Sequence, residues 1–145
     1  MQRSDALAPL SRDHHHGLVV AQRLRRAVDA TAEEARRGFL AFWEEEGHRH
    51  FRIEEEILLP TVSRHMPPEH EAVVRVLVDH VDIRRRAADL AASHPSLASL
   101  HALGERLEAH MRHEERVLFP MIEAALDETE LDDLLRAIAR AEESG

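Results

Sequence analysis

The chain has 145 residues, 43% of them apolar, enough for one core of ordinary domain size and too little for two, so a single domain over 1–145 is expected. Only 3% are aromatic, with four Phe, one Trp and no Tyr, which gives a β-sheet little to pack and excludes an all-β fold. Nineteen basic residues against 28 acidic ones leave a net charge of −9, which argues against nucleic acid or an anionic membrane as partner and leaves any protein partner unspecified.

Apolar residues recur as Leu10, Leu18, Ala21, Leu24 and Val28, a helical stripe that also contains His14, so a first helix is predicted over about 10–29. Thr31-Ala-Glu-Glu34 has capping-box spacing. Behind it, Phe39, Trp43, His50, Ile53, Ile57 and Leu58 predict a second helix over about 32–64, bent or loosened near Pro60. Met66-Pro67-Pro68 breaks the chain and opens a third helix over about 68–92. After the break at Ser93-His94-Pro95-Ser96, Leu100, Leu103, Leu107, His110, Val117, Leu118 and Met121 form the stripe of a fourth helix ending near 126. Asp127-Glu-Thr-Glu130 then caps a short amphipathic segment, with its apolar positions in 131–141 and its limits at about 128–142, expected to pack across one end. The predicted fold is all-α: an antiparallel up-down four-helix bundle over about 10–126 with a short C-terminal fifth helix.

No window approaches the roughly 20 apolar residues of a membrane span, and the first residues carry no apolar signal core, so a soluble, cytoplasmic protein is expected. There is no cysteine, which excludes disulfides and thiolate-bound zinc or iron-sulfur clusters and leaves nitrogen and oxygen ligands. Histidine stands out at twelve residues.

Two segments repeat, His50-Phe-Arg-Ile-Glu54-Glu-Glu-Ile-Leu-Leu-Pro60 and His110-Met-Arg-His-Glu114-Glu-Arg-Val-Leu-Phe-Pro120, both fitting H-x-x-x-E-E-x-x-L-[LF]-P. Upstream of each stands an Asp-His pair, Asp13-His14 in the first helix and Asp79-His80 in the third. The chain therefore reads as a duplicated helical hairpin. Residues four apart share a helix face, so each H-x-x-x-E presents imidazole and carboxylate together, and both pairs lie on apolar stripes pointing inward. Two carboxylates and several imidazoles in a core would cost several kcal/mol per ionised group unless compensated, and bound metal supplies the compensation. Imidazole with carboxylate and no thiolate suits iron or manganese, and less often zinc, and two facing carboxylates can bridge two ions. The zinc-protease motif H-E-x-x-H is absent, since Val117 stands where its second histidine would fall. The ferritin-type E-x-x-H spacing occurs only at Glu45 to His48.

In these motifs, over about residues 10–125, the chain resembles the hemerythrin-like (HHE cation-binding) domains. The resemblance implies a non-haem di-iron site with two irons per chain inside a four-helix bundle, His14, His50, His80 and His110 as terminal ligands, and Glu54 and Glu114 as carboxylates bridging both irons. The oxygen-carrying members have a fifth histidine four residues before the third-helix ligand, where this chain has Val76. Glu46, His113 or water could supply the missing donor. His14 aligns with Leu10, Leu18 and Ala21, and His15 is its rival as first-helix ligand. Glu55, Glu56, Arg112 and Glu115 are assigned to the solvated face, and His48, His65, His70, His94 and His101 to the surface or loops. The functional expectation is a module that binds or senses dioxygen, nitric oxide or a related small oxidant. Alternatives are a di-iron enzyme that oxidises ferrous iron or reduces peroxide or nitric oxide, and an iron-storage or iron-responsive interaction protein.

Overall fold

The computed structural model describes residues 2–144. It is all helical, with no strand among the described residues. Five helices follow in chain order: α1 (Ala8–Arg25), α2 (residues 32–62), α3 (Glu71–Ala92), α4 (residues 97–125) and α5 (Glu128–Ser144). Pro9 sits in the first turn of α1, where its missing N–H costs nothing. Ser96 caps α4 by accepting from the Ser99 N–H at 3.1 Å. The expected caps at the two other acidic starts differ. Asp127 and Glu130 form a reciprocal capping box, at 2.8 and 3.2 Å. Thr31 does not: its hydroxyl turns back to the backbone of Val28, leaving α2 without a side-chain cap.

The two long hairpin helices α2 and α4 are not regular. Each passes through a π turn, Glu54–Leu58 and Glu114–Leu118, that begins on the glutamate of its repeat, with the N–H of Leu59 reaching the Glu54 carbonyl and that of Phe119 the Glu114 carbonyl. Proline lacks an N–H and its ring crowds the carbonyl four residues back, so Pro60 and Pro120 favour a widened turn just ahead of them. The loosening expected near Pro60 is this turn. A further π turn, Trp43–Gly47, precedes His50.

The apolar interior divides into two clusters. Leu10, Ile53, Leu58, Val76, Phe119 and Ile122 belong to one, and Val20, Leu24, Phe39, Ile83, Leu103 and Leu107 to the other. Helices α1 and α4 approach closely at Gly104, where a Cβ would stand 2.7 Å from the Ala21 carbonyl oxygen and 2.9 Å from the Arg25 backbone nitrogen. Only glycine fits there without backbone movement. α5 starts at its predicted limit and runs two residues past the other, and it packs along α2 as well as closing the end. Leu134 and Ile138 are buried in the first cluster with Ile53 and Leu58, and Ala141 lines a surface pocket with Arg49 and Arg52. No helix of the described residues is long and apolar enough to cross a membrane.

Candidate metal centre

Eight polar side chains are buried in the interior: His14, His50, Glu54, Asp79, His80, His110, His113 and Glu114. Six are the residues named from the repeats. They form two clusters of potential ligand atoms, His14, His50, Glu54 and Glu114 in one, and Glu54, His80, His110 and Glu114 in the other, with the atoms of each cluster within 4.8 Å of one another. Both glutamates belong to both clusters.

The duplication has become a near two-fold arrangement. His14 of α1 points Nε2 at Glu114 of α4 (2.9 Å), and His80 of α3 points Nε2 at Glu54 of α2 (3.0 Å). His50 and His110 stand over the glutamates of their own helices, with Nε2 to Oε2 separations of 3.3 and 3.6 Å. The other ring nitrogen of each histidine is held by a carboxylate. Asp13 holds His50 Nδ1 and Asp79 holds His110 Nδ1, both at 3.0 Å. Glu115 holds His14 Nδ1 at 3.0 Å and Glu55 holds His80 Nδ1 at 2.6 Å. A carboxylate fixes the tautomer with its proton on Nδ1 and turns the Nε2 lone pair inward, the usual outer support of a metal-bound imidazole. Glu55 and Glu115, expected on the solvated face, are thus part of the site. The signal for them was the doubled Glu-Glu, present in both repeats where a solvated position has no reason to repeat.

Half of the inward atoms are not satisfied by one another. His50 Nε2, His110 Nε2, Glu54 Oε2 and Glu114 Oε2 are buried without a hydrogen-bond partner, close enough to interact but not aligned to donate and accept. Four orphaned polar atoms at one point of a core would each cost on the order of 1–3 kcal/mol. They are two imidazole lone pairs and two carboxylate oxygens converging on one space, the donor set that divalent and trivalent cations satisfy. The residues present fit a metal pair.

Electrostatics of the metal-free chain agree. Burial disfavours protonation of His50, but Glu54, Asp13 and Glu114 outweigh it and raise its pKa well above the usual value. Burial likewise opposes protonation of His14 and His80, and Glu114 and Glu115 around the first and Glu54, Glu114 and Glu55 around the second overcome it and raise both. Burial of Glu114 works against its charge, yet His110, Glu54, His14 and His50 around it hold its pKa well below the carboxylate range. The carboxylates of the cavity thus favour positive charge beside them.

Every outer carboxylate but one has an arginine beside it. Arg84 Nη2 lies 3.0 Å from Glu55, Arg106 Nε 3.3 Å from Asp79 and Arg3 Nη2 3.7 Å from Glu115. Among the described residues no arginine lies within 4.0 Å of Asp13, whose one ion pair is with His50. Asp13→Asn is therefore expected to lower metal affinity more than Asp79→Asn, within the 10–100-fold that outer-partner changes cost; competition titration with a chromophoric chelator measures both. Equal losses would mean that the arginines do not screen their carboxylates.

The remaining histidines separate cleanly. His14 is buried while His15 and His16 are exposed, and His16 bonds Glu46. His14→Ala is expected to lose bound metal where His15→Ala and His16→Ala keep it, as metal analysis of the three purified variants will read. Loss with His15→Ala alone would put the α1 register wrong by one. Two of the three candidates for a further donor, Glu46 and His113, are engaged elsewhere. Glu46 is occupied by His16, and His113 points Nε2 at the Ala72 carbonyl oxygen of α3 at 3.1 Å. Val76 is fully buried in the apolar core. His70 caps α3, accepting from the Ala72 N–H, and His101 contacts the Ala27 carbonyl oxygen at 2.7 Å.

The site is packed by aromatic rings. Phe51 stacks on His80 at 3.8 Å between centroids, and Phe119 lies parallel to His14 at 5.5 Å. Beside His14, His50 and His110 lies a cavity of about 10 Å³, walled by Phe42, Trp43 and Met111.

The Hemerythrin HHE cation binding domain family matches this chain over residues 5–122, a span that takes in both Asp-His pairs and both H-x-x-x-E segments. The chain belongs to the hemerythrin HHE family. No curated protein and no solved structure gives a significant match. A hemerythrin HHE domain implies a metal cation as cofactor, and the buried histidine and glutamate clusters are groups that could hold it.

Proposed function

We propose that this hemerythrin HHE domain holds two irons and uses them to bind or sense dioxygen, nitric oxide or a related small oxidant. His14 and His50 would hold one ion and His80 and His110 the other, with Glu54 and Glu114 shared. The observation that carries the reading is the sharing: the same two buried carboxylates belong to both clusters, and each has an oxygen with no other partner. Imidazole and carboxylate donors without thiolate suit iron or manganese, and the resemblance to the hemerythrin-like domains favours iron. Four protein donors at each position are fewer than an octahedral ion takes, so a bound pair supplies open coordination positions and a one-electron couple at each iron. The chain's own part is to cover His80 and His14 with the rings of Phe51 and Phe119, and to offer an adjacent space of about 10 Å³, which is on the scale of one water-sized molecule.

The apolar Val76 decides which behaviour to expect. It places no donor one turn before His80, where the resemblance to oxygen carriers would require a histidine. The reduced, iron-loaded protein is therefore expected to take up oxygen on exposure to air and not return it under vacuum. Manometry with parallel spectra over repeated cycles tests this. Full recovery of the reduced spectrum on each evacuation would contradict it, and continued consumption in the presence of a reductant would make the protein an enzyme rather than a binding module. The first experiment is metal analysis of aerobically purified protein, with two irons per chain and near-ultraviolet absorption expected. One tightly held zinc and no iron would overturn the proposal.

A further inference from the structure

Among the described residues, seven large apolar side chains are exposed, and four of them lie on α3: Val74, Leu77, Val78 and Val81, at 41, 40, 53 and 70%. Together they line an open groove of about 480 Å³ bordered by Asp82, Arg85 and Arg106. This is the face of α3 turned away from Asp79 and His80. Leu77 looks like a member of the core stripe in sequence, yet it stands at the edge of this outer face. At about 100° per residue, Val74, Val78 and Val81 share an arc of about 80° with Glu71 and Arg85. Glu71 and Arg85 lie seven residues on either side of Val78, or about 10 Å along the axis.

We infer that this face of α3 is the contact between two copies of the chain, packed antiparallel about a two-fold axis at Val78. The occupant follows from the charge pattern. In the antiparallel arrangement Glu71 meets Arg85 of the partner subunit at both ends of the stripe, Val74 meets Val81 of the partner subunit, and Val78 meets itself. Arg75 falls within about 1.5 Å of axial register with Asp82 of the partner subunit. A parallel arrangement would set Glu71 against Glu71 and Arg85 against Arg85. A partner of one charge sign would complement one end of the stripe and repel the other. Among the described residues Arg85 is held only by Asp82 and Asp89 on its own helix; these are exposed pairs of little worth, so re-pairing across the interface costs little. The interface does not touch the buried histidine and glutamate clusters, so the inference stands apart from the iron reading.

Sedimentation equilibrium of the full chain, with light scattering at several concentrations up to about 100 μM, within the range of ordinary transient interfaces, tests it. A dimer is expected. Val78→Glu sets like charges against each other on the axis and should give a monomer with unchanged helical circular dichroism. Glu71→Arg and Arg85→Glu should each weaken the dimer by about tenfold or more, and the double swap should restore it, because the ion pairs are rebuilt with the charges exchanged. A wild-type monomer across the whole concentration range would overturn the inference and leave the stripe to a different partner. So would a dimer that survives Val78→Glu, or a double swap that is no better than the single variants.

Discussion

Removing the metal is expected to lower the melting temperature by at least about 10 °C, since an ion present at a thousand times its dissociation constant stabilises by about 4 kcal/mol and each kcal/mol moves a domain of this size by a few degrees. The physical source is the orphaned set: without metal, His50 Nε2, His110 Nε2, Glu54 Oε2 and Glu114 Oε2 have no partner in the interior. The size of the gap depends on pH. In the metal-free chain His14, His50 and His80 have folded pKa values above the ordinary histidine value. Their protonation therefore stabilises the metal-free fold below about pH 6.5, and that contribution is lost as pH rises through the raised folded values. Metal needs the same imidazoles neutral, so its stabilisation runs the other way and fades in acid. Glu114, whose folded pKa is depressed, stabilises above its unfolded value and loses that contribution only as pH falls through the folded one, in more acidic solution. The difference between metal-loaded and metal-free melting temperatures should therefore widen from about pH 6 to about pH 8.5, on the alkaline side of the free histidine range. Differential scanning calorimetry of the two forms at both pH values reads it. Equal melting temperatures at both would mean that the six residues are not a ligand set.

The second large effect concerns the shared carboxylates. Glu114→Gln keeps the size of the side chain and removes one carboxylate charge from both clusters at once, so metal content should fall from two per chain to close to none. His80→Ala deprives only one cluster, and one metal should remain. His94→Ala, on a side chain that is 86% exposed, should keep both. Metal analysis beside circular dichroism of each variant separates loss of metal from loss of fold. If Glu114→Gln and His80→Ala lose the same single metal, the carboxylate serves one ion and the bridged arrangement is wrong.

The helices were legible in the sequence because each long stripe keeps one period, and the six interior residues because two copies of a motif fall on those stripes. His14 could be told from His15 and His16 by its alignment with Leu10, Leu18 and Ala21. Three features lay outside what helical periodicity carries. Glu55 and Glu115 lie one residue beyond the inward glutamates, at positions a regular helix would turn outward, and they reach His80 and His14 on other helices. Helical periodicity carries no information about partners across the bundle. The π turns at Glu54 and Glu114 are signalled only by a proline six residues later, which predicts a disturbance without fixing its type. The arginines beside Glu55, Asp79 and Glu115 come from α3, α4 and the segment before α1, so only the folded chain brings them together.

The claim that two ions share Glu54 and Glu114 is tested most directly by anomalous diffraction at the iron absorption edge from crystals of aerobically purified protein. Two anomalous peaks per chain are expected, one between His14 and His50 and one between His80 and His110, with both glutamates touching both. A single peak, or peaks outside the bundle interior, would contradict the account.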